Sequence, residues 1–495
     1  MRVRTTKTGS LSTAVQVVRP EHGNTVVLKH IGSASEPDEI VHLKQKAYDW
    51  ITNTTHQQSF FSKEPTFDTL FTKYQNLGVM HNFLYEILTQ IFLKFGFEKL
   101  DNQLLLDLVL ARIVEPSSKL HSKRILSDLF GIDYDLTLIY KSLKSMPLLK
   151  EKVEANLIDF AKFKLNFDFS FVLYDVTTLY FESFKADEEE AGLRKNGFGK
   201  DNKPGQPQIV IGLLVNKDGF PISFSVFPGN TFEGHTLIPV ISALKEKYQI
   251  PTLTVIADSA MISKENIKSL KTSGLNFIVG ARLGYLSLAT VTKISQELKS
   301  NNKATTRLPW KNGFLVCDFS SKRYAKDKSD TEKQISKVQQ VLSGEKPAKR
   351  LKFLIREETT QTLNQKLIER TKLLWGIKGY FTDLSLPNEE IISHYHNLWQ
   401  VEKTFRMSKS DILIRPVYHF KKEAIEAHIL ICVMALAVAK FMELKSGKSI
   451  KVILEILKKV TDVRILNIST KEETLWRSVI PEEAKHILES VEITY

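Results

Sequence analysis

The stretch FSFVLYDVTTLYF, residues 169–181, is rich in β-branched and aromatic residues. It predicts a strand with Asp175 in its middle or near its end. Two strand-like runs follow, QIVIGLLVN and PISFSVFPG, and Lys217-Asp218-Gly219 between them is typical of a hairpin turn. An amphipathic helix comes next, then the short strand LTVIAD, which ends at Asp258, then a second helix and the strand NFIVGAR. This order predicts an α/β sheet layer.

The strand pattern returns at GIKGYFTDLS and leads into PNEEIISHYHNLWQVEKTFRMSKSD, residues 387–411, which we predict to be one helix. Tyr395, Glu402 and Lys409 are seven residues apart in turn, so they project from one helix face with a drift of only ~20° per step. Arg406 follows Glu402 by four residues and shares that face. A surface ion pair between Glu402 and Arg406, worth a few tenths of a kcal/mol, is the simpler alternative.

The bulk composition indicates a globular protein with a polyanionic partner. The chain has 495 residues and a net charge of +13, which favours nucleic acid over a membrane. Its two cysteines, Cys317 and Cys432, exclude a disulfide framework and favour a reducing compartment. The longest apolar run, residues 429–439, is too short to span a bilayer and predicts a buried helix. We therefore expect a cytoplasmic protein with no membrane partner.

Changes of pattern along the chain predict six segments. They are a small strand unit at 1–35, a mostly helical candidate DNA-binding region at 36–165, a first core part at 166–285, an insertion domain at 286–375, a second core part at 376–445 and a helical tail at 446–495.

Two groups of basic residues are candidates for contact with DNA phosphates. One lies between predicted helices of the 36–165 region and consists of Arg112, Lys119, Lys123 and Arg124. The other is the tract 320–352, which contains ten Lys or Arg residues and only four Asp or Glu residues. Lys322 and Arg323 are its first two cationic residues. An ordinary helical domain and a solvated charged face are the respective alternatives.

Asp175, Asp258 and Glu402 form the candidate catalytic and metal-binding set. Carboxylates at strand ends and on an adjacent helix can converge, and three of them can hold two divalent cations through oxygen ligands. Two such cations activate the attacking oxygen and stabilise the leaving oxygen of a phosphoryl transfer. Magnesium keeps several waters and needs only one or two carboxylates per ion, so no histidine cluster is required.

These motifs resemble the DDE transposases of bacterial insertion sequences, in the group marked by Tyr-x2-Arg-x3-Glu-x6-Lys. Tyr395, Glu402 and Lys409 match that spacing, while YDVTTLYFE and VIADSAMIS resemble the two aspartate motifs of the family. The segments GQPQIVIGLLV and LWQVEKTFRMSKSDILIRPVYH resemble the surrounding core. Leu398 occupies the arginine position of the motif. Either Arg406 supplies that charge, or this subgroup does without it.

The resemblance implies an RNase H-like mixed sheet with flanking helices, split by an insertion, and two Mg²⁺ or Mn²⁺ ions as cofactors. It implies a homodimer that synapses terminal inverted repeats of double-stranded DNA, cuts them with water and joins the ends to target DNA. Tyr395 and Lys409 would contact DNA near the scissile phosphate. In relatives that cut through a hairpin, a tryptophan stabilises a flipped base. Trp310 is a candidate for that role, with a structural tryptophan as the alternative.

Two other functions stay open beside an active transposase. One is a transposase-derived protein that binds DNA without using its acids. The other is an RNase H-like nuclease that cuts without strand transfer. For the transposase, we expect a nucleoid-associated location in a bacterial cytoplasm.

Overall fold

The computed structural model describes residues 1–9, 12–21, 23–55, 74–197, 205–261, 263–298, 301–310, 313–347, 351–356, 361–468 and 470–495. The chain divides into two compact units. The first comprises Met1–Asn76 and Ile465–Thr474, and the second comprises Leu77–Arg464 and Leu475–Tyr495.

In the first unit, one helix packs against a sheet of three antiparallel strands. The strands β1 (Arg2–Lys7), β2 (Thr13–Glu21) and β3 (Asn24–Ala34) pair in that order, and α1 (Pro37–Thr55) packs on β2 and β3. Val15, Val17 and Ala47 are fully buried between them. The strands predicted within residues 1–35 are therefore present, and the first helix of the 36–165 segment packs against them.

A run of helices opens the second unit after the strand β4 (Tyr74–Met80). They are α2 (Asn82–Lys94), α3 (Gln103–Val114), α4 (Lys119–Phe130), α5 (Leu136–Ser142) and α6 (Lys150–Leu165). Side-chain caps fix where they begin: the Asn102 carbonyl accepts from Leu105 N at 2.9 Å, and Ser118 Oγ accepts from His121 N at 3.3 Å. Gly131, at φ +69°, ends α4 in the left-handed conformation that favours glycine. The predicted helical character of this region is confirmed.

The central feature of the second unit is an eight-stranded mixed sheet. Its strands are β5 (Phe171–Tyr180), β6 (Gln208–Val215), β7 (Pro221–Pro228), β8 (Thr254–Ala257), β9 (Asn276–Gly280), β10 (Thr305–Trp310), β11 (Gly313–Phe319) and β14 (Ile377–Thr382). They lie in the order β10-β11-β14-β9-β8-β5-β6-β7. β8 runs parallel to both β5 and β9, and the other pairs are antiparallel.

The predicted series of strand, hairpin, helix, strand, helix and strand is confirmed. α7 (Leu237–Tyr248) lies between β7 and β8 in the chain, and α8 (Lys264–Thr272) lies between β8 and β9. The β6–β7 turn contains Gly219 at φ +79°, and a Cβ there would lie 2.8 Å from Thr404 Oγ1. This turn therefore favours glycine both for its backbone conformation and for its packing.

The segment predicted as an insertion is partly built into the sheet. β10 and β11 form a hairpin that pairs with β14, so these strands extend the sheet. The remaining elements are α9 (Leu288–Leu298), α10 (Ser321–Leu342), β12 (Leu354–Arg356), β13 (Gln361–Leu363) and α11 (Gln365–Leu373). Val338, Phe353 and Ile368 form a small separate core among them. The strand predicted at GFLVCDFS is confirmed as β11.

The prediction of one helix over residues 387–411 is wrong, because the chain forms two helices, α12 (Asn388–His396) and α13 (Trp399–Ser410). Between them, Leu398 N donates to Tyr395 O at 3.0 Å, and Gln400 N donates to Asn397 O at 2.9 Å. Such bonds between residues three apart tighten the backbone and interrupt the α-helical ladder. Leu398, at the arginine position of the motif, is buried in the core.

The buried helix predicted at the apolar run 429–439 is confirmed, as part of α14 (Lys422–Ser446). Among the described residues it is the one helix long and apolar enough to cross a membrane, and 94% of its apolar window is buried inside the protein. The tail after it was predicted to be helical, and that is wrong in part. Two strands, β15 (Asp462–Asn467) and β16 (Glu473–Arg477), separate α15 (Ile450–Lys458) from α16 (Glu482–Ser490).

Candidate functional site

Asp175 and Asp258 lie at the same level of two neighbouring strands. The parallel pairing of β5 with β8 sets Tyr174 opposite Ala257, and each aspartate is the next residue in the chain. Paired strands are ~4.8 Å apart, so the two carboxylates share one edge of the sheet. Asp175 is partly buried and its Oδ1 accepts from Val176 N at 2.8 Å, whereas Asp258 is exposed. The sheet thus brings together two predicted catalytic acids that are 83 positions apart in the sequence.

Tyr395 contacts one of these acids. It is buried on α12, and its Oη donates to Asp258 Oδ1 at 3.3 Å. Burial raises the pKa of the Tyr395 hydroxyl, and the charges of Asp258 and Glu402 raise it further, against an opposing effect of Arg323. The phenol therefore remains a donor at neutral pH. A Cβ on Gly280 would lie 2.6 Å from Tyr395 Oη, so the glycine leaves room for this contact.

Glu402 lies in the first turn of α13 and is exposed. Its charge acts on the pKa of Lys378, as does the charge of Asp258. Burial lowers that pKa, Arg323 lowers it further, and Asp318, Asp258 and Glu402 raise it. Asp258 and Glu402 therefore act on the same lysine.

A polar cluster that was not predicted from the sequence lies next to Tyr395. Tyr380 Oη donates to Asp318 Oδ1 at 2.9 Å and lies 3.3 Å from His396 Nε2. Lys378 pairs with Asp318 across β11 and β14, and its Nζ lies 4.5 Å from the centre of the Tyr395 ring. The strand pattern in GIKGYFT contained the signal, because its two-residue period places Lys378 and Tyr380 on one face.

The predicted metal site is only partly assembled. Among the residues that the structure describes, no group of three or more His, Cys, Asp and Glu side chains is arranged to hold a metal ion. The strand pairing thus places Asp175 beside Asp258, and among the described residues the three predicted acids do not form one metal-binding group. A pair of carboxylates fits Mg²⁺, which binds through one or two carboxylates, substrate phosphates and several waters.

The other predicted DNA-binding residues lie on α13 and at the start of α10. Arg406 and Lys409 follow Glu402 on α13 by about 6 and about 10 Å along the helix axis, from a rise of 1.5 Å per residue. Lys322 and Arg323 are exposed in the first turn of α10. The charge of Arg323 lowers the pKa of Tyr395, against the larger effect of burial.

Trp310 lines a cavity of about 590 Å³ that reaches the acidic edge of the sheet. Its indole stacks on Phe381 with ring centres 5.7 Å apart. Ser259, directly after Asp258, lines the same cavity, and so do the basic side chains of Lys268 and Lys271. The cavity combines aromatic walls with cations.

The basic group predicted to contact DNA in the helical region is partly buried. Arg112 and Lys119 are 4% and 3% exposed, so they cannot form a phosphate-binding surface, and that part of the prediction is wrong. Arg112 instead donates to the carbonyl oxygens of Ser117 and Leu413. Lys123 lies 3.4 Å from Asp133 Oδ1. Sequence periodicity failed here because both buried cations lie near helix ends, where the buried face is least defined.

Comparison with known proteins adds a family to this geometry. A family model described as "Transposase DDE domain" matches residues 166–438, more than half of the chain. No curated protein sequence matches this chain. Among solved structures, this chain is similar to one described as a cryo-EM structure of a piggyBac transposase synaptic complex with hairpin DNA. The TM-score is 0.37 and the sequence identity is 12%, over 72% of this chain and 69% of that chain.

Proposed function

The chain belongs to the transposase DDE domain family, and on that premise we propose that it binds terminal inverted repeats and catalyses cleavage and strand transfer of DNA. The observation that carries this proposal is the Asp175–Asp258 pair at one sheet edge, with Tyr395 bonded to Asp258. An acidic pair within a chain of net charge +13 suits the cleavage of a polyanion.

Asp175 and Asp258 would hold divalent cations, Mg²⁺ or Mn²⁺, together with oxygen atoms of the DNA. When bound, such ions activate the attacking oxygen and stabilise the leaving one. Glu402 remains our third acid because its charge acts on the same Tyr395 and Lys378 as that of Asp258. The phenol of Tyr395 orients the Asp258 carboxylate through its hydrogen bond.

We infer an RNase H-like core for strands β5 to β9. Its support is the order β7-β6-β5-β8-β9, in which three antiparallel strands are followed by two that run parallel to β5. The segment 286–375, between β9 and β14, holds the place of the insertion that the family resemblance implies.

The proposed partner is double-stranded DNA bound by a homodimer in the bacterial nucleoid. Arg406, Lys409, Lys322 and Arg323 would contact its phosphates, and each phosphate contact made by a cation releases counterions. The cavity lined by Trp310 supports a base-contacting role for the indole, since it has aromatic walls next to Asp258.

The test is cleavage of a plasmid that carries the genomic DNA from both sides of the gene, in Mg²⁺ and in Mn²⁺. We expect cuts at the element ends and joining of these ends to a second plasmid. Asp175→Asn and Asp258→Asn should bind the same DNA and leave it uncut. DNA binding without cleavage by the native protein would instead identify a DNA-binding derivative, and cut ends that never join would identify a nuclease.

A further inference from the structure

A polar groove is lined by residues of α10, α11 and the sheet strand β14. Its volume is about 450 Å³. Four cationic side chains line it, and each comes from a different part of the chain: Arg323 from α10, Lys352 from the segment before β12, Arg370 from α11 and Lys378 from β14. Cations that converge from separate elements form a site that is built by the tertiary fold.

The acidic side chains in the groove leave an excess of positive charge. Asp327 and Asp330 also line it. Asp327 is already engaged, since its Oδ2 accepts from Gly376 N at 3.0 Å and lies 3.5 Å from Arg323 Nε. Arg370 Nε is buried and has no hydrogen-bond partner among the described residues. Four cationic side chains therefore stand against two carboxylates in the groove.

Lys378 connects this groove to the acids. Its ammonium lies 4.5 Å from the centre of the Tyr395 ring, and Tyr395 Oη donates to Asp258. An anion held at Lys378 is therefore separated from Asp258 by a single side chain. A chain of phosphates offers several anions in a row, which suits a groove lined by four cationic side chains.

We propose that this groove binds the phosphodiester backbone of the DNA strand next to the reacting phosphate, and that Lys378 is the positioning residue between the groove and the acids. The inference rests on the proposed action on DNA and adds Lys352, Arg370 and Lys378 to the residues that act there. Lys378 sets where the strand lies relative to Asp258, while Lys352 and Arg370 supply affinity.

The test measures how the affinity for a fluorescein-labelled duplex of mixed sequence depends on salt. Lys352→Met and Lys378→Met keep the aliphatic stem and remove the charge. Each lost phosphate contact should reduce the slope of log K against log salt by about 0.9. Lys378→Arg should restore the slope. Lys485→Met, which changes an exposed lysine of α16 outside the groove, should leave the slope unchanged.

A second readout separates positioning from affinity. With the flanking DNA at saturating protein, Lys378→Met should slow single-turnover cleavage at least tenfold and Lys352→Met should slow it less, whereas the control Lys485→Met should cleave at the native rate. If both Met variants unfold at the native temperature and keep the native slope of log K against log salt, the groove does not bind the DNA backbone. A native cleavage rate for Lys378→Met would overturn its positioning role. If the Met variants change the salt dependence of binding but the native protein cuts no DNA, the groove binds DNA and the proposed enzymatic activity is rejected.

Discussion

The hydrogen bond from Tyr395 to Asp258 gives a prediction whose size can be estimated from the structure. Tyr395→Phe removes only the hydroxyl and keeps the ring, which lies 4.8 Å from the Tyr380 ring. Hydrogen bonds to charged groups contribute ~1.5–3 kcal/mol. At 3.3 Å onto an exposed carboxylate, we expect the lower limit, ~1.5 kcal/mol. Since ~1.4 kcal/mol corresponds to a factor of ten, cleavage should slow about tenfold.

The assay is single-turnover cleavage of the flanking DNA with protein in excess, so that the rate reports the bound complex. Tyr380→Phe is the matched control, because Tyr380 is also buried and also donates to an aspartate, Asp318, at 2.9 Å. The control variant should lose free energy of unfolding and keep its rate of cleavage. Tyr395→Phe should lose rate, and its free energy of unfolding should fall by no more than ~1.5 kcal/mol.

Two results would refute this reasoning. An unchanged rate would mean that the hydroxyl does not orient Asp258 in the complex with DNA. A loss above a thousandfold would exceed what one long hydrogen bond supplies, and it would assign the hydroxyl a direct part in the reaction.

Three other predictions concern the acids and the buried charges. Each amide replacement of a predicted catalytic acid should abolish cleavage, measured on the same plasmid, and keep DNA binding: Asp175→Asn, Asp258→Asn and Glu402→Gln. Arg477→Ala should lower the free energy of unfolding by ~3–5 kcal/mol in urea titrations, because it leaves the charge of Asp462 uncompensated. Asp462 is 1% exposed, and its Oδ1 lies 2.7 Å from Arg477 Nε. Lys119→Met should stabilise the protein at pH 7 by an amount on the order of a few kcal/mol. Burial lowers the pKa of Lys119 from 10.5 to about 7, with a smaller contribution from Arg112.

The sign of the last effect follows from proton binding. Between pH 7 and 10.5 the unfolded chain binds the Lys119 proton more tightly than the folded chain, so the free energy of unfolding rises with pH in this window. Lys119→Met should remove that rise, and a rise that persists would mean that another group causes it. For Arg477→Ala, adding Asp462→Asn should recover part of the loss, whereas additive losses would exclude a buried charge as the cause. A Glu402→Gln variant that cuts normally would remove Glu402 from the catalytic set.

The sequence by itself determined the local elements and the chemistry of the acids. Runs rich in β-branched and aromatic residues, such as FSFVLYDVTTLYF, favour a strand, and runs with an apolar residue every three to four positions, such as GHTLIPVISALKEKY, favour a helix, before any long-range contact exists. The position of Asp258 as the last residue of LTVIAD placed it at a strand end, and β8 and its pairing with β5 agree with that.

The tertiary structure alone decided which of these elements meet. That β10 and β11 extend the sheet, that α12 and α13 are separate helices, and that Lys119 is buried depend on contacts between distant segments, which no local period encodes. Lys378 shows the same limit: its strand was readable from GIKGYFT, yet its contact with Tyr395 on α12 and its place in the cationic groove with Arg323 of α10 join residues that are distant in the sequence. A side chain's neighbours across a sheet or between helices are set by the path of the whole chain, and therefore only the folded molecule reveals them.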